Sequence, residues 1–498
     1  MKLNLIKFTA FLIVLISFNA HALPIDWHGI FGVDTTLIDN YRFIEQANQR
    51  TDPTTAADRG TQEIKLAAGD QANASFQTYV FRLNPEIIIN DTASFYGEIT
   101  SGYGRGGRLG DNSGRRDNES NEPFGNALYY YNTNDPDQGS SGLNLNQFYV
   151  ELYSDTATYK IGRFSNHWGL GAVVHGGENP WDRHIFVRDG VELQFKIGNF
   201  NIRPYWAKIS NEATLTRATK AKEWGFTLLY DNPVKDMSFG VLYGKKEDKT
   251  SADFSQVDTD DNGNDTNLTK TDVKITDIFL KKKWGDFTAA LEIALMTGTL
   301  GDVYENGGNT KYKAKAFILE SDYKLNNSWT FKGLAGKVTG DGGNDSSYEA
   351  MYLNPNYQIA SLLFRYNMAA VSNPNQDFIF DSYISNTTYF KVMAEYISGN
   401  WDWKFSLIKA FAEETAISGQ QAYNHTTNKV FDAVATQGDD MGTEFDIDVK
   451  YRWNKEVNVE AGFGYLIVGD YYSFTNEADR SNTEDSAMSF QLKTSIEF

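Results

Sequence analysis

The 498-residue sequence contains no cysteine and only ten prolines. Without cysteine the chain can form no disulfide and no thiol or Cys-metal centre. Beyond residue 22 it has no uninterrupted apolar run of about 18 residues, which excludes a bundle of membrane-spanning helices. Basic residues are also scarce, with 46 Lys and Arg against 65 Asp and Glu. This deficit argues against binding to nucleic acid, which requires basic patches.

The first residues have the order of a secretory signal peptide. Two lysines precede an apolar run over residues 8–18, and Ala20, His21 and Ala22 follow as a small-residue cleavage site. The run is shorter than the roughly 20 residues that a membrane-spanning helix needs. We therefore expect residues 1–22 to be removed on export. Residues 23–498 show no Pro/Ser-rich linker and are expected to form one repetitive unit.

Residues 441–453 alternate strictly between two kinds of side chain. One face carries Met441, Thr443, Phe445, Ile447, Val449, Tyr451 and Trp453, and the other carries Gly442, Glu444, Asp446, Asp448, Lys450 and Arg452. A period of two is that of a β-strand, and this contrast between faces fits a wall with lipid on one side and water on the other. A strand of a soluble β-sandwich also alternates, but over a shorter length.

Tight turns and long polar stretches alternate along the chain, a sorting of connections that is typical of outer-membrane barrels. The tight turns are expected at Asn90-Asp91, Ser154-Asp155, Gly198-Asn199, Asn232-Pro233, Trp284-Gly285-Asp286, Asn326-Asn327, Gly399-Asn400 and residues 454–456. They predict an all-β fold, a transmembrane antiparallel β-barrel of about 18 strands with short periplasmic turns and long extracellular loops. Residues 357–368 and 377–385 are compatible with one more hairpin, giving twenty strands, or with an apolar loop over the mouth. We favour eighteen.

The last strand places Met488, Phe490, Leu492, Ile496 and the terminal Phe498 on one face. This ending resembles the C-terminal sorting strand of outer-membrane porins, although Thr494 stands where an apolar residue is usual. The resemblance implies insertion into the outer membrane by the barrel-assembly machinery. Residues 463–465 and 469–472 are also loosely similar to the end of alginate-export-type barrels.

The polar faces of the predicted strands supply candidate pore-lining residues. The basic candidates are Arg82, Lys160, Lys196, Arg203, Lys332, Lys391, Lys404, Lys450, Arg452 and Lys493, and the acidic ones are Glu98, Glu151, Glu192, Glu292, Glu395, Glu444, Asp446, Asp448 and Glu460. The two sets are nearly balanced. Opposed rings of charge would set a transverse field across a water-filled pore, whereas pairing across strands would merely hydrate the wall. Both interpretations remain open.

Residues 166–189 are too apolar for an ordinary solvated loop. They are expected either to fold into the barrel as a constriction loop or to pack on neighbouring loops above the membrane. If they form a constriction loop, the side chains expected to narrow the pore are those of His167, Trp168, Glu178, Arg183 and His184.

Cofactor and catalytic motifs are sparse. Asp258, Asp260 and Asn262 follow the opening of a Ca²⁺-binding loop, but Thr269 stands where the closing bidentate Glu belongs, so a plain solvated loop is preferred. The histidines lack metal-ligand spacing, and no Gly-x-Ser-x-Gly motif occurs. We expect no enzyme activity and no required cofactor.

These observations predict an integral outer-membrane channel of the porin type, for passive or facilitated diffusion of small hydrophilic solutes. Two alternatives stay open: an exporter of an anionic polysaccharide, which would need a continuous basic track, and a surface adhesin or receptor displayed on a barrel. A filled lumen would favour the receptor. The oligomeric state is not readable from the sequence.

Overall fold

The computed structural model describes residues 25–45, 73–109, 143–208, 222–248, 271–301, 310–343, 347–368, 371, 379–425, 429–478 and 481–498. The predicted signal peptide lies outside these residues.

The described chain forms 23 strands. In chain order they are β1 (Ile25–Asp39), β2 (Ala74–Asn90), β3 (Ala93–Ser101), β4 (Gly106–Arg108), β5 (Leu143–Tyr153), β6 (Thr158–Ser165), β7 (Val187–Ile197), β8 (Phe200–Lys208), β9 (Lys222–Asn232), β10 (Met237–Asp248), β11 (Thr271–Trp284), β12 (Phe287–Thr299), β13 (Lys311–Tyr312), β14 (Lys315–Lys324), β15 (Trp329–Val338), β16 (Ser347–Tyr348), β17 (Thr387–Ser398), β18 (Trp401–Ala412), β19 (Gln421–Asn424), β20 (Lys429–Asp432), β21 (Asp440–Arg452), β22 (Val457–Val468) and β23 (Ala487–Glu497). Single 3-10 turns lie at Tyr103–Arg105, Pro233–Lys235 and Asp470–Ser473. Within the described ranges, no helix has the length and apolar character needed to cross a membrane.

Eighteen of these strands close into one antiparallel barrel, which confirms the predicted strand number. Each pairs with the next barrel strand along the chain, and β1 also pairs with β23, where Phe31 lies opposite Ile496. The five short strands β4, β13, β16, β19 and β20 belong to the long connections. Residues 357–368 form no strand, so the twenty-strand alternative is wrong.

All eight predicted tight turns are present, and both ends of the described barrel lie on their side. Local chemistry explains them. The Asn454 side chain accepts hydrogen bonds from the Glu456 N–H (2.9 Å) and the Val457 N–H (2.7 Å), the usual way in which asparagine stabilises a turn. Gly399 adopts a left-handed φ of 58°, which glycine reaches without steric cost. We call this rim the short-turn end and the opposite rim the loop end.

The two faces of the wall differ as the alternation predicts. On β21, Phe445 is 46% exposed on the outside whereas Glu444 is 0% exposed on the inside. Nearly every barrel strand projects a large apolar side chain outward, among them Phe31, Phe148, Ile161, Trp206, Phe226, Phe239, Leu280, Phe317, Phe331, Phe390, Phe405, Phe463 and Phe490. Exposed Trp284, Trp401 and Trp453 lie at the short-turn end, as expected of an interfacial aromatic girdle. The outer surface therefore matches a hydrocarbon environment.

The main apolar core lies inside the barrel, toward the loop end. Apolar residues of the connection after β16, including Met351, Leu353 and Leu362, pack against small wall residues such as Ala294 and Ala410. The expectation of a simple water-filled lumen is therefore wrong for this half of the barrel. The physical reason is that small lumen-facing side chains leave room for a loop, and burying each large aliphatic side chain contributes about 1.5–3 kcal/mol.

Candidate functional site

The lumen near the short-turn end is lined by ion pairs between neighbouring strands. The pairs are Glu151 with Lys160 (3.4 Å), Lys332 with Glu395 (2.9 Å), Lys404 with Glu395 (3.9 Å), Lys450 with Glu460 (3.4 Å) and Arg452 with Asp402 (3.8 Å). Eight of the predicted pore-lining residues are engaged in this way. The pairing keeps the wall polar and close to charge balance.

A second group of predicted lining residues holds two loops inside the barrel. The first inward loop comprises residues 166–186, between β6 and β7, and the second inward loop comprises the described part of residues 349–386, between β16 and β17. Residues 166–186, the greater part of the predicted loop 166–189, lie inside the barrel.

The first inward loop is fixed to two sides of the wall. From β2, Arg82 donates hydrogen bonds to the Gly177 carbonyl (2.8 Å) and the Asn179 carbonyl (2.7 Å). From β12, the buried Glu292 carboxyl accepts a hydrogen bond from the Leu170 N–H. Gly169 is required here, because its φ is +61° and a Cβ would lie 2.3 Å from Glu292 Oε2.

Apolar residues of the first inward loop complete its docking to the barrel wall. Trp168 and Val174 form a buried cluster with the wall residues Leu242, Phe279 and Ala290. This contact places the loop along the barrel wall from β10 to β12.

The five constriction-loop candidates have different surroundings. Trp168 and Arg183 are buried, whereas His167 and Glu178 are exposed. Arg183 donates to the Tyr79 carbonyl and to Thr78 Oγ1 (2.7 Å) on β2, and its guanidinium lies 4.6 Å from the Phe380 ring centroid. Burial lowers the pKa of Arg183 to about 10, which leaves it cationic at neutral pH. Arg183 therefore joins the loop to the wall.

The second inward loop is held from β14, β17 and β21. The Glu444 carboxyl accepts hydrogen bonds from the N–H groups of Ser361 (2.8 Å), Leu362 (2.7 Å) and Leu363 (2.8 Å). Lys391 Nζ donates to the Ile359 carbonyl (2.7 Å). The Tyr357 hydroxyl donates to Glu320 (2.8 Å). Thus Lys391 and Glu444 satisfy backbone groups of a loop that is shut away from bulk water.

The two inward loops also bind each other. The Asn354 N–H donates to the Ala172 carbonyl (2.7 Å). Asn356 makes reciprocal hydrogen bonds with the backbone of His184, accepting from its N–H (3.1 Å) and donating to its carbonyl (2.8 Å). His184 Nε2 lies 3.1 Å from the Phe380 carbonyl oxygen. The loops therefore form one joined insert.

The remaining pore-lining candidates do not form a single site. Glu98 is buried and receives two hydrogen bonds from Arg105 (2.8 and 2.6 Å), while Glu192 accepts one from Asn166 (2.8 Å). Asp446 is buried and Lys196 is exposed. The rest are placed singly, with Arg203 beside a cavity described below, Asp448 half-buried on β21, and Lys493 Nζ 5.5 Å from the Trp181 ring centroid.

Two adjacent cavities remain beside the insert, along the wall formed by β7 to β12. The larger has a volume of about 540 Å³ and the smaller about 220 Å³. Both are bordered by Val174, Arg188 and Leu242. The smaller also contacts Glu192, Arg203 and His167, so it is the more polar of the two. These shared residues mark the boundary between the two spaces.

Arg188 at this boundary was not among the sequence-predicted residues. It pairs with Glu223 (2.8 Å), donates to the Tyr205 hydroxyl (3.3 Å), and lies 4.0 Å from the Tyr205 ring centroid. Asp277, buried on the inner face of β11, was missed as well, although its alternation with Ile278 and Leu280 was readable. Arg105 lies in a long connection, where no periodicity indicates which face a side chain takes.

Replacing Arg188 with alanine is expected to join the two cavities and to leave Glu223 without its cationic partner. Ionic conductance should rise, and the reversal potential in a KCl gradient should shift toward cation preference. The matched control is Arg163→Ala. Arg163 pairs with Asp189 (2.6 Å) and lies 5.7 Å from the outward-facing Phe148 ring centroid, so its loss should leave both quantities unchanged. Equal effects of the two variants would contradict this assignment.

Docking of the first inward loop is expected to weaken in acid. Burial lowers the pKa of His175 below its ordinary value, against the opposing attraction of Asp182, and neutral Nδ1 accepts a hydrogen bond from the Gly177 N–H (3.0 Å). A released loop would bind the proton more readily, so docking is lost progressively as pH falls from about 6.5 toward the lower docked pKa. Hydrogen exchange of residues 166–186 against pH measures this. His175→Gln should flatten the pH dependence of this exchange over that interval. An unchanged pH dependence in this variant would contradict the role assigned to His175.

The predicted sorting-strand residues Phe490, Leu492, Ile496 and Phe498 all project from the outer face. The backbone of Phe498 exchanges two hydrogen bonds with Gly29 on β1 (2.7 and 3.0 Å). The Ca²⁺ candidates Asp258, Asp260 and Asn262 lie outside the described residues. In the parts of the chain that the structure describes, no three His, Asp or Glu side chains are grouped to hold a metal ion.

A closed antiparallel barrel with an apolar exterior, a charge-paired inner wall and loops folded inside it has the architecture of a transmembrane β-barrel. Neither known protein families nor curated proteins give a match to the sequence.

Solved structures are similar in overall architecture. Pseudomonas aeruginosa OpdQ is 13% identical, with 95% of this chain and 97% of that chain covered and a TM-score of 0.48. Acinetobacter baumannii OccAB1 is 11% identical over 95% and 97%, with a TM-score of 0.47. The outer membrane protein OpdK of Pseudomonas aeruginosa is 10% identical over 95% and 99%, with a TM-score of 0.44. The loose similarity of residues 463–465 and 469–472 to the end of alginate-export-type barrels finds no support among these structures.

Proposed function

We propose that this protein is an integral outer-membrane channel of the porin type, through which small hydrophilic solutes diffuse passively or with facilitation. The observation that carries the proposal is the pair of adjacent cavities beside the insert, which share Val174, Arg188 and Leu242. They offer a route along the inner wall from β7 to β12. The ion pairs at the short-turn end keep the lumen hydrated there. The proposed role is transport, and we expect no catalytic activity.

The orientation follows from the lengths of the connections. Bacterial outer-membrane barrels place short turns in the periplasm and long loops outside the cell. The short-turn end, which carries Ile25 and Phe498, would therefore face the periplasm, and the insert would hang from the extracellular side. The outward-facing apolar residues of β23 are available as a sorting sequence for the barrel-assembly machinery, which we propose as the partner in biogenesis.

Two other functions compete with this proposal. A polysaccharide exporter would need a continuous basic track, yet Lys160, Lys332, Lys404 and Lys450 are each paired with a glutamate. An adhesin or receptor is the use that a filled lumen favours, and two loops do fold inside this barrel. The cavities beside them support the channel instead.

The test is the conductance of the purified, detergent-solubilised protein in a planar bilayer with a KCl gradient. Stable, discrete current steps are expected, together with swelling of proteoliposomes in small neutral sugars. The steps should be modest, because the insert leaves only part of the lumen. A correctly folded barrel that passes neither ions nor sugars would overturn the proposal and direct attention to the loops as a receptor surface.

A further inference from the structure

The larger cavity is lined mainly by apolar and aromatic side chains, unlike the ion-paired wall near the short-turn end. Val174 and Phe186 enclose it from the first inward loop, and Leu242, Ile275 and Met296 enclose it from the barrel wall. Its volume of about 540 Å³ lies within the range of roughly 300–1,000 Å³ that is usual for pockets holding small organic molecules. A channel that served only water and ions would have no need of this lining.

Tyrosines form the side of the cavity toward the loop end. The Tyr348 hydroxyl lies 3.0 Å from that of Tyr352 and 3.3 Å from that of Tyr423, and the Tyr348 ring centroid lies 5.5 Å from that of Tyr423. Burial raises the pKa of Tyr423 to about 12 and that of Tyr352 above its ordinary value. The hydroxyls are therefore neutral at physiological pH and can donate or accept a hydrogen bond.

The cations at the edge of the cavity already have acidic partners. Arg188 pairs with Glu223 at 2.8 Å, and Lys245 pairs with Asp272 at 3.0 Å and also with Glu247. Lys246 is the third cation of the lining. An anionic ligand that took Arg188, whose side chain is 4% exposed, would leave the Glu223 carboxylate, which is 17% exposed, without its cationic partner. Such a loss is costly in a largely buried site.

We infer that this cavity is a binding site for an uncharged, largely apolar aromatic molecule that carries one hydroxyl or carbonyl group. The apolar walls would take the ring system, and the tyrosine hydroxyls would meet its polar group. Such a ligand class goes beyond the hydrophilic solutes of the proposed channel, and its binding is measured without any current.

The experiment compares two probes of the same shape on the full-length protein in lipid nanodiscs at pH 7. The neutral probe is 4-phenylphenol and the anionic probe is biphenyl-4-carboxylate, because a phenol with a pKa near 10 stays neutral at this pH while a carboxylic acid with a pKa near 4 is ionised. Equilibrium dialysis against empty nanodiscs separates binding to the protein from partition into lipid. We expect saturable binding of 4-phenylphenol and affinity for the carboxylate at least about ten-fold weaker.

Two tryptophan substitutions on the same strand locate the site. Met296→Trp fills the cavity and should weaken binding of 4-phenylphenol at least about ten-fold, whereas Ile293→Trp lies on the opposite, outward face and should not. Heat-modifiable migration in gels tests whether Met296→Trp folds. If it does not, Val273→Phe, which also fills the cavity but with a smaller side chain, replaces it.

Several results would overturn the inference. They are tighter binding of the carboxylate, no binding above that of empty nanodiscs, and equal loss in the inward and outward variants. Current steps recorded on the same preparations report on the channel separately, so failure of ligand binding and failure of conductance can be told apart.

Discussion

Replacing Glu444 with alanine is expected to free the second inward loop from the barrel wall and to increase single-channel conductance. The Glu444 side chain is completely buried and accepts three backbone hydrogen bonds from residues 361–363. Its removal leaves three N–H groups without their acceptor, two of them buried, at about 1–3 kcal/mol for each buried group. Because losses within one network are not additive, docking of the loop should weaken by on the order of 3–5 kcal/mol. Conductance in planar bilayers and limited proteolysis of residues 349–386 measure the effect.

Glu460→Ala is the matched control for this prediction. Glu460 is also an inward-facing carboxylate, on the neighbouring strand β22, but it is half-buried and pairs with Lys450 at 3.4 Å. Its loss should cost no more than about 1 kcal/mol. Glu444→Gln should be intermediate, since its amide oxygen still accepts hydrogen bonds. If Glu444→Ala showed wild-type current and wild-type resistance to protease, this carboxyl would not be an anchor.

Replacing Arg82 with alanine is expected to have the second largest effect, on the first inward loop. Arg82 is 4% exposed, and its guanidinium donates to the carbonyls of Gly177 and Asn179. Hydrogen bonds that involve a charged group contribute about 1.5–3 kcal/mol each, so docking of this part of the loop should weaken by roughly 3 kcal/mol or more. Backbone amides of residues 175–183 should exchange faster with solvent, and current steps should become larger or noisier.

The control for Arg82 is Arg452→Ala. Arg452 faces the lumen, is partly solvated and lies 3.8 Å from Asp402, so its loss should leave hydrogen exchange in the first inward loop unchanged. Residues near Leu170 should stay protected in Arg82→Ala, because Glu292 still holds them from the other side. Loss of protection throughout the whole barrel would instead show that Arg82 supports the fold and has no specific role in the loop.

The predicted lining residues show how far strand alternation can reach. Glu444 and Lys450 were both assigned to the inner face of β21, and both face inward. Alternation predicts which face a side chain takes but not its partner. Lys450 pairs with its cross-strand neighbour Glu460, whereas Glu444 binds a loop some 80 positions earlier in the chain. Arg188 was missed because it is the second residue of β7, where the alternating strand pattern gives way to the preceding loop.

The barrel could be predicted from the amino-acid pattern alone, with its eighteen strands, eight tight turns, apolar exterior and polar interior. These features depend on local rules, namely a side-chain period of two and turn residues that act within four positions. The folded barrel was needed to show that two loops fill part of the lumen, which inward charges hold these loops, and where a cavity remains. The reason is that closure of the barrel brings together residues such as Arg82 and Gly177, which lie far apart in the chain. No local sequence pattern predicts their contact.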